Sequence, residues 1–477
     1  MKAKLIIAVC VLISIGTGSL AAQTAADLAN AINSNFQVFY FGGGEPGLDP
    51  LNAVDFDVAA RAVHADMLNA GFQLGDAAID ATGQGVPVIW RGCAATAGGA
   101  NPANIFLQDA GNSYVVLLAT GFDGTSTSSS GTNAYARSQS DNCTVYAIGG
   151  NGYASNDSHG GWAEARENCA TSAGESRAYG GHGANGGNGG SATCFSDRAT
   201  ALAAGGNSAS GNGGNATAAA YLNAEANGGD TGDPGNGGNA IAGSDEADAI
   251  ASGGNTSGAG SGGNATSSAQ GTTGGSGDAT ATGGDTTGSG NGGDAWVPYS
   301  AGTAIADGGD SNSGSGGDAV IGIPATQSFS GGAGTATGGS GGFGSGSGGS
   351  ALVLAVGNAT ATGGAGANGG DADATSSTGN AAATGGNGLA TGGDATATTT
   401  GGTGDADATG GNAIATVSSG GDAVSDSAGG TATSNGGDAH SNPWGFGVGG
   451  TAEATGPTQH DGPNSTGNWR GAFATAS

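Results

Sequence analysis

The sequence predicts a mainly β protein: a Gly/Ala-rich β-solenoid with repeats of about 25 residues, preceded by a small α+β domain. Three observations carry the prediction. Glycine supplies 107 of 477 residues, too many for a conventional side-chain core. Gly-Gly pairs begin at 160, 189, 213, 237, 262, 292 and 316, and a second series at 205, 228, 253, 283 and 308 is offset from the first. Recurrence at such a period marks stacked supersecondary units. Between the pairs alanine alternates with another residue, as in NAIAGSDEADAIA (239–251) and GDATATGG (277–284).

Residues 1–22 read as a secretory signal peptide. Lys2 and Lys4 precede an apolar run from Leu5 to Ile15, and small residues follow, with cleavage expected after Ala21 or Ala22. Secretion places the mature chain outside the cell or on its surface, and no later stretch is long and apolar enough to span a membrane.

Residues 23–130 differ in composition and read as the α+β domain. In LDPLNAVDFDVAARAVHADMLNAGF, Asp49 is placed to N-cap a helix, Pro50 stands at its first position and Gly71 ends it. VPVIW (87–91) and SYVVLLATG (113–121) read as buried strands.

Residues 131–440 form the repeat array. Alternation with a period of two is that of a strand. Alanine is a poor strand former, so space explains the pattern better than propensity. Two sheets separated by methyl groups leave no room for larger side chains, and the intervening Thr and Ile face outward. Each unit contributes one strand to each sheet, and stacked strands lie roughly 4.8 Å apart. GGDTTGSGNGGDA (283–295) and its relatives form one near-constant, narrow end of the coil, and the other end absorbs the insertions. Glycine suits such a turn because it accepts positive φ, and Asn and Asp tolerate it. GGN and GGD interchange from unit to unit, which assigns the third position a backbone role. A bundle of polyglycine-like extended helices and outright disorder are the competing readings of this composition. In 441–477 aromatic residues return, with Trp444, Phe446, Trp469 and Phe473 placed to cover the last open coil.

The formal charge is −29, and the only lysines precede the cleavage site. A P-loop, a Schiff-base lysine and a kinase-type lysine are thereby excluded. No lysine or arginine occurs from 199 to 469, so nucleic acid is not expected as a partner. GGSGG (338–342) fits a GxSxG pattern around Ser340, a chance match in so Gly/Ser-rich a chain. The five histidines lack zinc-ligand spacing. No enzyme is expected.

Cys93, Cys143, Cys169 and Cys194 remain after cleavage, the last three spaced by the repeat period. Neighbouring coils bring such residues close, and four cysteines in a secreted chain read as two disulfides. Either Cys169–Cys194 with Cys93–Cys143 or Cys143–Cys169 with Cys93–Cys194 satisfies the spacing.

Two further patterns suggest ligands. The Gly/Asp-rich loops GGTGDADAT (401–409), GGSGDATAT (274–282) and GGAGANGGD (363–371) resemble RTX repeats. That resemblance implies Ca²⁺ at loop edges, with Asp285, Asp294, Asp310 and Asp318 as candidates. No unit has the full nine-residue pattern, and calcium wants six to eight oxygens. Thr-Ala-Thr recurs at 280–282, 335–337, 360–362, 396–398 and 431–433. With Ala inward, Thr280, Thr282, Thr335, Thr337, Thr360, Thr362, Thr396, Thr398, Thr431 and Thr433 face outward. They resemble the TxT faces of β-solenoid antifreeze proteins, which implies ice binding. In composition, 150–440 also resembles the PGRS repeat region of mycobacterial surface proteins, without that family's N-terminal PE or PPE module. The expected function is that of a secreted structural protein of the cell surface or extracellular matrix, adhesive or filament-forming. Its partners would be further copies or matrix components. Ice binding and calcium-dependent binding are the alternatives. No cofactor is expected beyond Ca²⁺.

Overall fold

The computed structural model describes most of residues 130–426 in full. Outside that range it describes mainly strands, from Ala77–Asp80 to Gln459–Asp461. Short segments within it, the longest being 168–175 and 323–331, fall outside the described residues, as does the helix expected near Asp49. Every regular element among the described residues is a strand, and every strand pairing is parallel within one of two long stacks or a small accessory sheet. The architecture is a parallel β-solenoid. The chain divides into two compact units, Met1–Tyr221 and Leu222–Ser477.

In the first unit, one sheet takes in Ala103–Asp109, Ala134–Ser138, Ala163–Glu167 and Ala192–Ser196. The other takes in Val88–Cys93, Val115–Thr120, Cys143–Ile148 and Ser176–Tyr179. Strands assigned from sequence to the N-terminal domain therefore belong to the same two stacks as the repeats that follow.

The second unit shows the coil most clearly. Ala240, Ala265, Ala295, Ala319, Ala351, Ala372, Ala395 and Ala413 open successive strands of the first sheet in one register column. Ala249, Ala279 and Ala304 do the same in the second sheet. Inward alanines such as Ala251, Ala281 and Ala306 are fully buried. The methyl-thick interior inferred from alternation is what forms. Where the first sheet turns Ile321 and Val353 inward, the space is recovered opposite. The second sheet places Gly334 there, where a Cβ would stand 2.6 Å from Cγ1 of Val353. Close packing tolerates volume changes only when they compensate in this way.

The Gly-Gly pairs form a waist between the sheets and an outer lobe. The second glycine of each pair donates across the waist to the facing pair, giving a zigzag from Gly238→Gly229 through Gly254→Gly238, Gly263→Gly254, Gly284→Gly263 and Gly293→Gly284. It continues to Gly411→Gly393, every N···O distance in the run being 2.7–2.9 Å. The first glycine instead donates to the next coil, as in Gly253→Thr282 and Gly262→Asn291, both 2.9 Å. A Cβ at Gly253 would stand 1.8 Å from the Gly263 carbonyl oxygen, and one at Gly284 would stand 2.1 Å from that of Gly254. None of these waist glycines has a left-handed φ, and the one non-glycine residue with positive φ among those described is Asn185. Glycine is required here for backbone-to-backbone contact, which corrects the turn-conformation reason drawn from the sequence.

Beyond the waist, Thr231, Thr256, Thr286 and Ser311 are buried inside the lobe and linked by single-residue parallel bridges. Their hydroxyls satisfy carbonyls that the loop turns inward. Thr256 Oγ1 donates to Gly235 O at 3.0 Å, and Ser311 Oγ to Gly290 O at 2.6 Å. The GGD…GGD end is thus a small lobe with its own polar core.

Candidate functional surfaces

The third residue of most GGN and GGD triplets has a side-chain task. Oδ1 of Asp230 accepts the backbone N–H of Asn255 (2.8 Å), Asn255 that of Asp285 (2.8 Å), Asp285 that of Asp310 (2.9 Å) and Asp310 that of Ser340 (2.7 Å). A second column runs Asn239, Asn264, Asp294, Asp318 and Ser350 at 2.8–3.0 Å. A third, ahead of the second-sheet strands, links Asp248, Asp278 and Thr303. In the first unit His159 and His182 do the same, their Nδ1 atoms accepting from Asn188 (2.9 Å) and Asn207 (3.0 Å). Oδ1 of Asn or Asp and Nδ1 of His are acceptors at the same reach from Cβ, which is why the three interchange. The backbone role assigned from sequence is replaced by this one.

The four calcium candidates fall into two of these columns. Asp285 and Asp310 are adjacent in one, Asp294 and Asp318 in the other, and each gives Oδ1 to the next coil. Among the described residues no group of three or more His, Cys, Asp or Glu is placed to hold a metal ion. Ser340 occupies the same ladder as Asp285 and Asp310.

The threonine triplets divide between two faces. Thr280, Thr282, Thr335, Thr337, Thr360 and Thr362 lie on the second sheet, and Thr396 and Thr398 on the first. Thr431 and Thr433 also belong to a first-sheet strand, but their side chains fall outside the described residues. On the second sheet two outward columns form: Thr280, Ile305, Thr335, Thr360, Ala382, Asp407, and Thr282, Asp307, Thr337, Thr362, Thr384, Thr409. Thr384 and Thr409 belong to no Thr-Ala-Thr triplet. The better signal is Thr directly before Gly, present at 282, 337, 362, 384 and 409.

The first sheet of the second unit carries a different surface. From Ile241 to Leu354 its outward side chains are uncharged, although 22 acidic residues lie in Leu222–Ser477. Trp296, Val320 and Leu352 stand side by side on three adjacent strands, as do Gly322 and Leu354 on two. A register shift before Ser268 sets Tyr299 beside Ser268. Trp296 is 50% exposed and Leu354 41%. A Cβ at Gly322 would meet nothing within 4 Å. Val320 and Gly322 therefore floor a shallow trough between an aromatic wall and a leucine wall.

The first unit concentrates cations and rings. On its first sheet Arg137 donates to Glu164 at 2.9 Å, Arg166 lies 4.7 Å from the Phe195 ring centroid, and Tyr135 meets Trp162 edge to face at 5.5 Å. On its second sheet Arg177 covers the Tyr146 ring at 5.8 Å.

Cys194 is a free, fully buried thiol between Ala165 and Ala218 in register. Burial pushes this thiol well above the usual cysteine range. Neither disulfide scheme is formed at Cys194. The register gives the reason: Cys194 sits inside a first-sheet strand with Ala165 and Ala218 as its neighbours, whereas Cys93 ends a second-sheet strand. Cys169 and the side chains of Cys93 and Cys143 fall outside the described residues, as do Trp444, Phe446, Trp469 and Phe473.

No family model, no curated protein and no solved structure matches the chain.

Proposed function

We propose that the chain is a secreted, non-catalytic structural protein of the cell surface or extracellular matrix, whose solenoid serves as an adhesive or filament-forming element. The observation that supports this best is the division of labour within each coil. Inward alanines, waist glycines and ladder Asn/Asp residues recur at fixed register positions. The outward positions vary from Trp to Thr to Asp while the alanines that open the strands stay in one column. A scaffold that fixes its backbone and leaves its faces free suits display. Negative-stain electron microscopy of the secreted protein, with and without Ca²⁺, tests the reading. Filaments or sheets are expected; discrete short rods would count against assembly and move the ice-binding reading forward, and a featureless field with a coil-like circular dichroism spectrum would refute the solenoid.

The two threonine columns favour a second reading, ice binding. Parallel strands place hydroxyl and methyl groups in rows set by strand spacing along the stack. Shaping of ice crystals by the protein, abolished by Thr337→Tyr with Thr362→Tyr, is the expected result. Unshaped growth in the presence of the unaltered protein excludes it.

A further inference from the structure

We propose that the trough over Val320 and Gly322 binds a neutral polysaccharide chain. The inference rests on the reading of the solenoid as an adhesive element and names what one of its faces adheres to.

Charge narrows the choice of ligand. The second unit carries one arginine against its acidic residues, so its field repels anionic polymers and acidic membranes. A cationic partner would favour the Asp-bearing columns over a face without charge. The trough thus favours a ligand that is itself neutral.

Size narrows it further. Three strands about 4.8 Å apart and four residues at about 3.3 Å each outline a strip of order 10 Å by 13 Å. A standard protein interface needs about 800 Å² from each partner. The strip is too small to hold a second copy by itself and suits a narrow chain lying in the trough. Exposed apolar patches on soluble proteins mark binding surfaces.

The chemistry of the walls favours a sugar over an extended peptide. The strands beneath the trough already spend their amides and carbonyls on neighbouring strands, so a peptide backbone laid on this face finds no ladder to join. A pyranose ring has an apolar C–H face suited to an indole or phenol ring, and its hydroxyls project sideways. Trp296 and Tyr299 offer the rings, since each presents an apolar body with a polar tip. Thr266 and Ser268 on the next strand, beside Trp296 and Tyr299, offer hydroxyls at the rim.

Affinity electrophoresis of the full secreted chain through gels containing hydroxyethylcellulose, xyloglucan or polygalacturonate tests the proposal. Retardation is expected in at least one of the two neutral gels and not in the anionic one. Trp296→Ala should weaken the apparent affinity at least tenfold. Gly322→Leu fills the floor without entering the core and should do the same, whereas Ile414→Asp, on the same sheet beyond the trough, should leave binding unchanged. Circular dichroism and thermal melting confirm that each variant is folded.

No retardation in either neutral gel, or equal retardation of wild type, Trp296→Ala and Gly322→Leu, overturns the proposal. Trp296-dependent binding to gelatin alone overturns it in favour of a peptide ligand. A Trp296-dependent dimer in sedimentation equilibrium overturns it in favour of self-association. If filaments or sheets still appear by electron microscopy after such a result, the structural reading survives and the glycan assignment alone fails.

Discussion

At the scale of the residue, the informative position is the one that follows each Gly-Gly pair. Asp294 accepts the amide of Asp318 and offers its own amide to Asn264. Asp294→Asn keeps the acceptor and removes a negative charge that stands one coil from Asp318. Adjacent carboxylates about 4.8 Å apart repel by about 1 kcal/mol in water. The variant should be neutral or stabilising by up to that amount. Asp294→Ala leaves the Asp318 amide to solvent and should cost about 1 kcal/mol. Chemical denaturation of both variants checks the pair, and equal effects would show that charge rather than acceptance governs the position. The interchange of Asn with Asp was visible in the sequence. The acceptor role was not legible, because it depends on a partner 18 to 32 residues away. His159 and His182 looked scattered for the same reason: only the fold shows that Nδ1 substitutes for Oδ1.

At the scale of the element, glycine has two meanings that composition merges. Gly284 belongs to the waist and Gly322 to an outward strand position. Gly284→Ala drives a methyl into backbone that cannot turn aside as a side chain would. It should cost more than the ~1–3 kcal/mol usual for overpacking, or prevent folding. Gly322→Ala enters open space on a strand, where replacing glycine removes chain entropy from the unfolded state, and it should be neutral or stabilising by about 0.4–1 kcal/mol. Thermal melts of the two variants measure the contrast, and comparable losses would mean that the waist is looser than its hydrogen bonds indicate. Alternation of alanine identified the strands and their inward faces, because period two survives any loop length. It did not reveal the lobe, whose buried Thr256 and Thr286 are single residues with no period of their own. Nor did it reveal that the lobe disappears at Ala406–Ala413, where one GGN joins the two strands.

At the scale of the whole molecule, stability must come largely from hydrogen bonds. A buried methylene-sized group contributes only about 0.8 kcal/mol, less than the ~1–2 kcal/mol needed to order one residue's backbone. The waist zigzag, the strand pairs and the Asn/Asp columns supply the difference, but the columns also gather like charges along the edges of the second unit. Outward positions of the first sheet from Ile241 to Leu354 carry none of that charge. The chain should therefore melt at a lower temperature at about 0.01 M ionic strength than at about 0.1 M, as the screening length shortens from about 30 Å to 10 Å. Adjacent carboxylates sit inside even the shorter distance, so the gain should continue toward 1 M. If the effect is screening, CaCl₂ and NaCl at matched ionic strength should raise the melting temperature alike. A much larger rise with CaCl₂, saturating at low concentration, would mean that carboxylates along these columns bind the ion specifically. It would move the calcium-dependent reading ahead of the purely structural one.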